Sequence, residues 1–263
     1  GVEEAVKQAG VTVRTSCRVM SIEGKEKVTS VTLDDGSTVP ADVVIIGAGA
    51  RPSTRLAQDA GLDLDALGSI VVDDYMRTSA SDVFAVGDCA QKKDFFTRRA
   101  APIWLASTAT AEARIAGTNL FGIRVLRQIP GTIAAFSTQI NGTAFASAGM
   151  TCRLCKAEGF RCMSAVVEAP DRHPGTLPGA RKTTLKLIFA VHSGVLLGGQ
   201  ASGGTSVGEL INVIAVAIQK KMTVRELDMM QIATHPLLTS APTVHPLVNC
   251  AHRALALMRS QDQ

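Results

Sequence analysis

Residues Thr78 to Ala90 read TSASDVFAVGDCA. The apolar run Val83–Val86 predicts a buried strand, and Gly87-Asp88 then falls at its carboxyl end, where open α/β sheets bind their ligands. Gly87 has no side chain to hold a ligand off its backbone, and Asp88 offers an acceptor for sugar-like hydroxyls. Four further residues have types that do chemistry: Cys152-x-x-Cys155, followed by Cys162 and then His173. They admit three readings. They are incidental thiols on a helix, or a redox pair whose helix has Thr151 as N-cap and a lowered thiol pKa, or zinc ligands whose spacing matches no compact finger pattern. No metal site is assigned on this basis. Cys89 reads as a small apolar filler, and Cys17 and Cys250 have no informative context. Gly47-Ala48-Gly49 is not a dinucleotide fingerprint, because Pro52 stands where the third glycine and the helix start are required. The Gly203–Gly208 loop lacks the Lys-Ser/Thr of a P-loop.

The elements that must position these groups can be read from pattern and composition. Hydrophobic residues make up 46% of 263 residues and charged residues 19%, which excludes a disordered or highly charged tail. With aromatics at 4% and 23 glycines, the composition suits an α/β nucleotide-binding core. A net charge of +4, dispersed so that basic residues occur at most in pairs, gives no basis for nucleic-acid binding. Ile211–Ile218 is too short for a membrane span. Six cysteines are too few for a disulfide scaffold, so a reducing cytoplasm is the expected location. The opening GVEEAVKQAG lacks Met and reads as the start of a fragment.

Along the chain, Val2–Ala9 predicts a helix and residues 11–46 a β-meander with turns at Gly24 and Asp35-Gly36, ending in a buried strand, Val43–Ile46. Residues 50–128 predict a second unit with strands at SIVVD and DVFAVGD and a helix from about Pro102 to Leu120. RQIPG at 127–131 marks a boundary. Beyond it come antiparallel-looking strands (TIAAFSTQING, TAFASAG, RCMSAVVEA, TTLKLIFAV, GVLLGGQA) and a helix over Val207–Lys220 that is apolar on most of its surface.

In combination these segments resemble the FAD-dependent pyridine nucleotide–disulfide oxidoreductases, a family that includes NADH oxidases, coenzyme A disulfide reductases, NADH persulfide reductases and glutathione reductase. Thr78, Asp82, Val83, Phe84, Ala85, Gly87 and Asp88 match the family's second FAD motif, which implies that Asp88 binds the ribityl chain of FAD. ADVVIIGAGARPSTRLAQDAGL is similar to the stretch leading from the NAD domain back to the FAD domain. IWLASTATAEARIAGTN is similar to the following helix, whose first turn, here at Leu105 and Ala106, faces the flavin pyrimidine ring. A helix N-terminus there would stabilise negative charge on the reduced ring. The resemblance places His235-Pro236, or as second candidate His245-Pro246, where one branch presents a histidine to the partner subunit's thiol–flavin site and could shuttle a proton. The carboxylate that branch carries five residues later is replaced by Ser240, and TCRLCKAEGF aligns with a helix that usually has no CxxC.

The fold expected is therefore α/β: partial Rossmann-like FAD/NAD(P)-binding domains followed by an α+β dimerisation domain with an antiparallel sheet. Residues 1–49 would end the NAD(P)-binding domain, 50–128 form the second half of the FAD-binding domain, and 129–263 form the dimerisation domain. The resemblance implies an enzyme moving electrons from NAD(P)H through FAD to a small disulfide or persulfide, or to oxygen, as a homodimer. Cofactor contacts fall to Gly87, Asp88, Leu105 and Ala106, and the catalytic role falls to His235. The alternative is a dimerisation or sulfur-binding module without turnover.

Overall fold

A computed structural model describes residues 1–124 and 129–261. The chain divides into two units, Gly1–Arg51 and Pro52–Gln263.

In the first unit a short helix, α1 (Val2–Gln8), precedes a three-stranded antiparallel meander of β1 (Val19–Gly24), β2 (Val28–Leu33) and β3 (Thr38–Pro40). β2 is central, with Val31 opposite both Ile22 and Val39. At the second turn the Gly36 amide donates to the Leu33 carbonyl and the Ser37 amide to Asp35 Oδ1 (3.0 and 2.8 Å). The expected meander over 11–46 is shorter at both ends, since no strand forms at 11–15 or at Val43–Ile46; Val43, Ile45 and Ile46 are 74%, 90% and 76% exposed. An all-apolar strand forms where a sheet accepts it on its edges and layers cover both its faces. Within this unit it meets no neighbouring strand, and the buried apolar side chains are Ala5 and Leu33 alone.

The second unit opens with α2 (Arg55–Asp59) and a run of chain held by isolated β-bridges, Leu64 with Ile70, Ile70 with Ala90, and Arg77 with Phe84. Here too two expected strands shrink. SIVVD is reduced to the bridges of Ile70, and Val83–Val86 is no buried strand: Val83 is exposed and Ala85 alone of the four is buried. The run meets one neighbour at one position, then turns off at Gly87, so no ladder extends along it. The small cluster beneath comprises Ala57, Ile70, Val72, Met76, Ala85, Ala90 and Ala116. Helix α3 (Ala106–Asn119) starts later than expected, since Ile103 donates to Ala101 in a tight turn and Leu105 is extended. Pro102 therefore lies outside the helix. The boundary expected at 127–131 begins at Arg127-Gln128, outside the described residues.

The remainder matches the expected antiparallel sheet closely. Its five strands are β4 (Phe136–Ile140), β5 (Thr143–Gly149), β6 (Cys162–Pro170), β7 (Lys182–Ala190) and β8 (Leu196–Gly203), in the order β4-β5-β8-β7-β6. Alternation is strict in β5, which buries Ala144, Ala146 and Ala148, and in β6, which buries Met163, Ala165, Val167 and Ala169. That period is what a sheet with one helix-covered face requires. α5 (Val207–Gln219) lies on β5 and β8, and α7 (Pro246–Gln261) lies on β6 and β7. α5 buries Val207, Ile211, Ile214, Ala217 and Ile218 and leaves Val213 and Val216 exposed. Between α5 and α7, α6 (Val224–Asp228) carries a capping box, in which Thr223 Oγ1 accepts from the Glu226 amide and Glu226 Oε2 from the Thr223 amide. Helix α4 (Cys152–Ala157) packs at the other end of the sheet with Met150, Ile188 and Leu197.

The close approach of α5 depends on Gly199, where a Cβ would stand 2.8 Å from Ile214 Cγ2 and 3.2 Å from Leu187 Cδ2. Gly199→Ala should therefore lose about 1–3 kcal/mol by overpacking. Gly208→Ala, in α5 with nothing within 4 Å of its Cβ, should gain up to about 1 kcal/mol of helix propensity. Urea unfolding of both variants checks this; equal effects would contradict the packing assignment.

Candidate functional site

The Thr78–Ala90 segment is shaped by local hydrogen bonds. Thr78 Oγ1 donates to the Val83 carbonyl (3.0 Å), and the Val83 amide returns to Ala80, which closes a turn in which Asp82 has φ +63°. Past Val86 the chain enters a 3-10 turn, Gly87–Cys89, with Gly87 at φ +77°. That left-handed conformation favours glycine, which has no Cβ to oppose it.

The turn is fixed by two residues that the sequence reading passed over. Lys92 and Glu112 form an ion pair at 3.0 Å with both side chains 2% exposed. Glu112 Oε2 accepts from the Gly87 amide at 2.8 Å. Lys92 Nζ donates to the carbonyls of Gly87 and Ala90 and to Glu112. Each charged group thus meets both its counter-ion and the backbone, as buried charges must. Burial pushes the Glu112 carboxyl above its ordinary value, while the Lys92 ammonium and the Gly87 amide pull the other way. A sequence signal existed: Glu112 is the one acidic residue of α3, and it lies on the same face as Ala116 and Asn119, the other residues this helix buries.

The 3-10 turn packs on α3, so the structure brings Gly87, Asp88, Leu105 and Ala106 to one region. Asp88 is exposed. Leu105 is the N-cap of α3, with extended backbone and no side-chain capping bond, and Ala106 begins its first turn. The first amides of a 14-residue helix therefore point outward with the positive end of its dipole. An acidic carboxylate and an uncapped helix start are suited to hydroxyls on one side and an anionic group on the other.

His235 lies elsewhere, in the segment between α6 and α7, exposed. Its bonds stay within its own turn: its amide donates to Thr239 Oγ1 (3.0 Å), and its ring Nδ1 accepts from the Leu237 amide (3.2 Å). An accepting Nδ1 assigns the neutral ring its proton at Nε2, which is the nitrogen left for other contacts. The Pro236 carbonyl accepts from the His173 amide, and buried Ser240 donates to the Pro170 carbonyl. Ser240 thus ties the loop to the end of β6 and does not orient the imidazole. His245 is partly buried, which lowers its pKa, and its Nδ1 meets no hydrogen-bond partner among the described residues.

Thr151 is indeed the N-cap of α4, accepting from the Leu154 amide at 3.1 Å. Of the three readings of these cysteines, an activated thiol finds no support at Cys155, which is fully buried and pushed up to about 12 by burial. Cys250 is also buried, donates to the Ala165 carbonyl and is pushed up to about 11. Cys89 donates to the Val86 carbonyl. Among the described residues no three His, Cys, Asp or Glu side chains are grouped to hold a metal ion, and no helix is long and apolar enough to cross a membrane.

Truncating one member of the buried pair should be far worse than removing both. Lys92→Met alone leaves Glu112 uncompensated and should cost about 3–5 kcal/mol. Lys92→Met with Glu112→Leu should recover most of that loss. Urea midpoints decide; additive losses would contradict the pairing.

Comparison with known proteins places this architecture. Residues 1–113 match the pyridine nucleotide-disulphide oxidoreductase family, and residues 111–245 match the dimerisation domain of pyridine nucleotide-disulphide oxidoreductases. The chain is 30% identical to the NAD(P)H sulfur oxidoreductase (CoA-dependent) of Pyrococcus furiosus over 94% of this chain and 54% of that protein. It is 30% identical to an NADH oxidase of Methanocaldococcus jannaschii over 89% of this chain and 51% of that protein. Among solved structures, a NAD-dependent persulfide reductase from A. fulgidus superposes with a TM-score of 0.91 at 31% identity, covering 98% of this chain and 47% of its own. The chain thus spans about half the length of the curated relatives it matches. The two matches together run without a gap from Gly1 to His245, and the chain belongs to the pyridine nucleotide-disulphide oxidoreductase family.

Proposed function

We propose that the chain is part of an FAD-dependent NAD(P)H oxidoreductase that delivers electrons to a small sulfur compound with an S–S bond, or to oxygen. The observation that carries this reading is the left-handed Gly87-Asp88 turn clamped by Lys92 and Glu112 against α3. The residues present fit a flavin. Gly87 has open space before it, the nearest atom to a Cβ being Ala109 Cβ at 3.9 Å. Asp88 is exposed, and the first turn of α3 has no capping side chain. When bound, FAD would accept electrons from NAD(P)H, which is chemistry the cofactor supplies and the side chains do not.

In this reading Asp88 accepts hydrogen bonds from ribityl hydroxyls, and Gly87 lets the chain of the cofactor lie against the backbone. The amides at Leu105-Ala106 and the α3 dipole stabilise negative charge at the pyrimidine edge. His235 projects Nε2 toward the sulfur site of a partner copy and gives a proton to the leaving thiolate. The relatives named as NAD(P)H sulfur oxidoreductase and NADH oxidase support the donor and the two acceptor classes. The match to a dimerisation domain over 111–245, together with exposed Val213 and Val216 on α5, supports a homodimer. We assign residues 1–49, 50–128 and 129–263 to the NAD(P)-binding, FAD-binding and dimerisation portions, acting in the reducing cytoplasm.

In the FAD-loaded protein, Asp88→Ala should weaken flavin retention roughly tenfold or more, the loss of about 1–3 kcal/mol from an acceptor of ligand hydroxyls. Flavin content after desalting reads this, and unchanged content would overturn the role of Asp88. His235→Gln should slow reduction of a small disulfide or persulfide by the pre-reduced protein while flavin reduction by NAD(P)H keeps its rate. Equal slowing of both half-reactions would make His235 structural.

A further inference from the structure

The CxxC motif and Cys162 take no part in the site described above, yet the fold gathers them. Cys152 and Cys155 stand three apart on α4 and therefore share a face. After α4 the chain reverses: the Gly159 amide donates to Lys156, the Phe160 amide donates to Cys155 at 2.8 Å, and β6 begins at Cys162. This turn returns the chain to the helix, and α4 packs against β6, the strand that Cys162 opens. All three thiols pack in one cluster with Met150, Phe96, Phe160, Ile188 and Leu197.

The three are not equivalent. Cys155 is fully buried, and its thiol rests on Met150 Sδ at 3.8 Å. Cys152 and Cys162 are half-buried and can meet a small reagent from solvent. Neither belongs to the fully buried core, and both pack against it as partly buried side chains.

We propose that Cys152 and Cys162 are a reversible disulfide-forming pair, oxidised by small disulfides or polysulfides, that staples α4 to the start of β6. The chemistry is thiol–disulfide exchange. The Cys152 thiolate attacks one sulfur of RSSR, forming Cys152 Sγ–SR and expelling RS⁻. Cys162, having released its proton to solvent, attacks Cys152 Sγ and expels the second RS⁻. Two protein thiols lose two electrons and two protons, and one RSSR becomes two RS⁻. Cys155 stays reduced, held by burial against Met150. This inference rests on the placement of the thiols and is independent of flavin binding.

The sequence makes the pairing readable. Trypsin cleaves after Arg153, Lys156, Arg161 and Arg172, so the three cysteines leave in three separate peptides. The chain, reduced and freed of reductant, is incubated with oxidised glutathione, alkylated and digested. The expected product is the peptide ending at Arg153 joined to Cys162–Arg172, with a loss of two alkylation sites and about 2 Da from the intact mass. Dithiothreitol should restore both sites. Cys155→Ala should keep the link, and Cys152→Ser should abolish it and leave glutathione on Cys162. A link through Leu154–Lys156, stable glutathione adducts on wild-type Cys152 without a link, or no reaction at either thiol would overturn the proposal.

Discussion

The candidate site depends on one buried ion pair. Lys92 and Glu112 are each 2% exposed, and removing two such charges from water is costly enough that the pair alone would be poor evidence of stability. Their arrangement explains why it is tolerated. Glu112 receives the Gly87 amide, and Lys92 serves the carbonyls of Gly87 and Ala90, so both ends of one left-handed residue are held by opposite charges. Such a pair confers definition more than stability: it fixes where Asp88 stands relative to the first turn of α3.

The sheet and its helices solve a different problem. Small residues, Ala144, Ala146 and Ala148 on β5 and Gly199 on β8, let α5 sit close. The apolar faces of α5 and α7 are then consumed by the sheet, while Val213 and Val216 remain outward. The loop carrying His235 is secured to this platform through Ser240 and Pro170 and through Pro236 and His173. An exposed imidazole on a firmly tied loop is well placed to serve a site outside its own chain's core.

What could be read from the sequence follows where each segment finds its partners. The five strands of the second sheet were legible because they alternate and pair with one another, so local pattern and tertiary context agree. Val43–Ile46 and Val83–Val86 have strong strand composition but find no ladder to join, and composition alone cannot supply one. Gly87, Asp88, Leu105 and Ala106 were legible as a group by resemblance, and the fold brings them to one region. Lys92 and Glu112 were not, because a charged residue in sequence looks like a solvated one until its partner, 20 positions away, is known. For the thiols near α4 the sequence left three readings open: the N-cap it named is present, and burial governs Cys155.

The most direct test of the central claim is amide hydrogen exchange at Gly87 and Ala90 in the wild-type chain and in Glu112→Ala. The account predicts that the Gly87 amide is protected in the wild type and exchanges at least roughly tenfold faster in the variant, the loss of about 1.4 kcal/mol or more of local protection. Amides of β7 and β8 should keep their protection. Unchanged exchange at Gly87, or equal loss across the sheet, would contradict the assignment of this pair as the clamp that holds the turn.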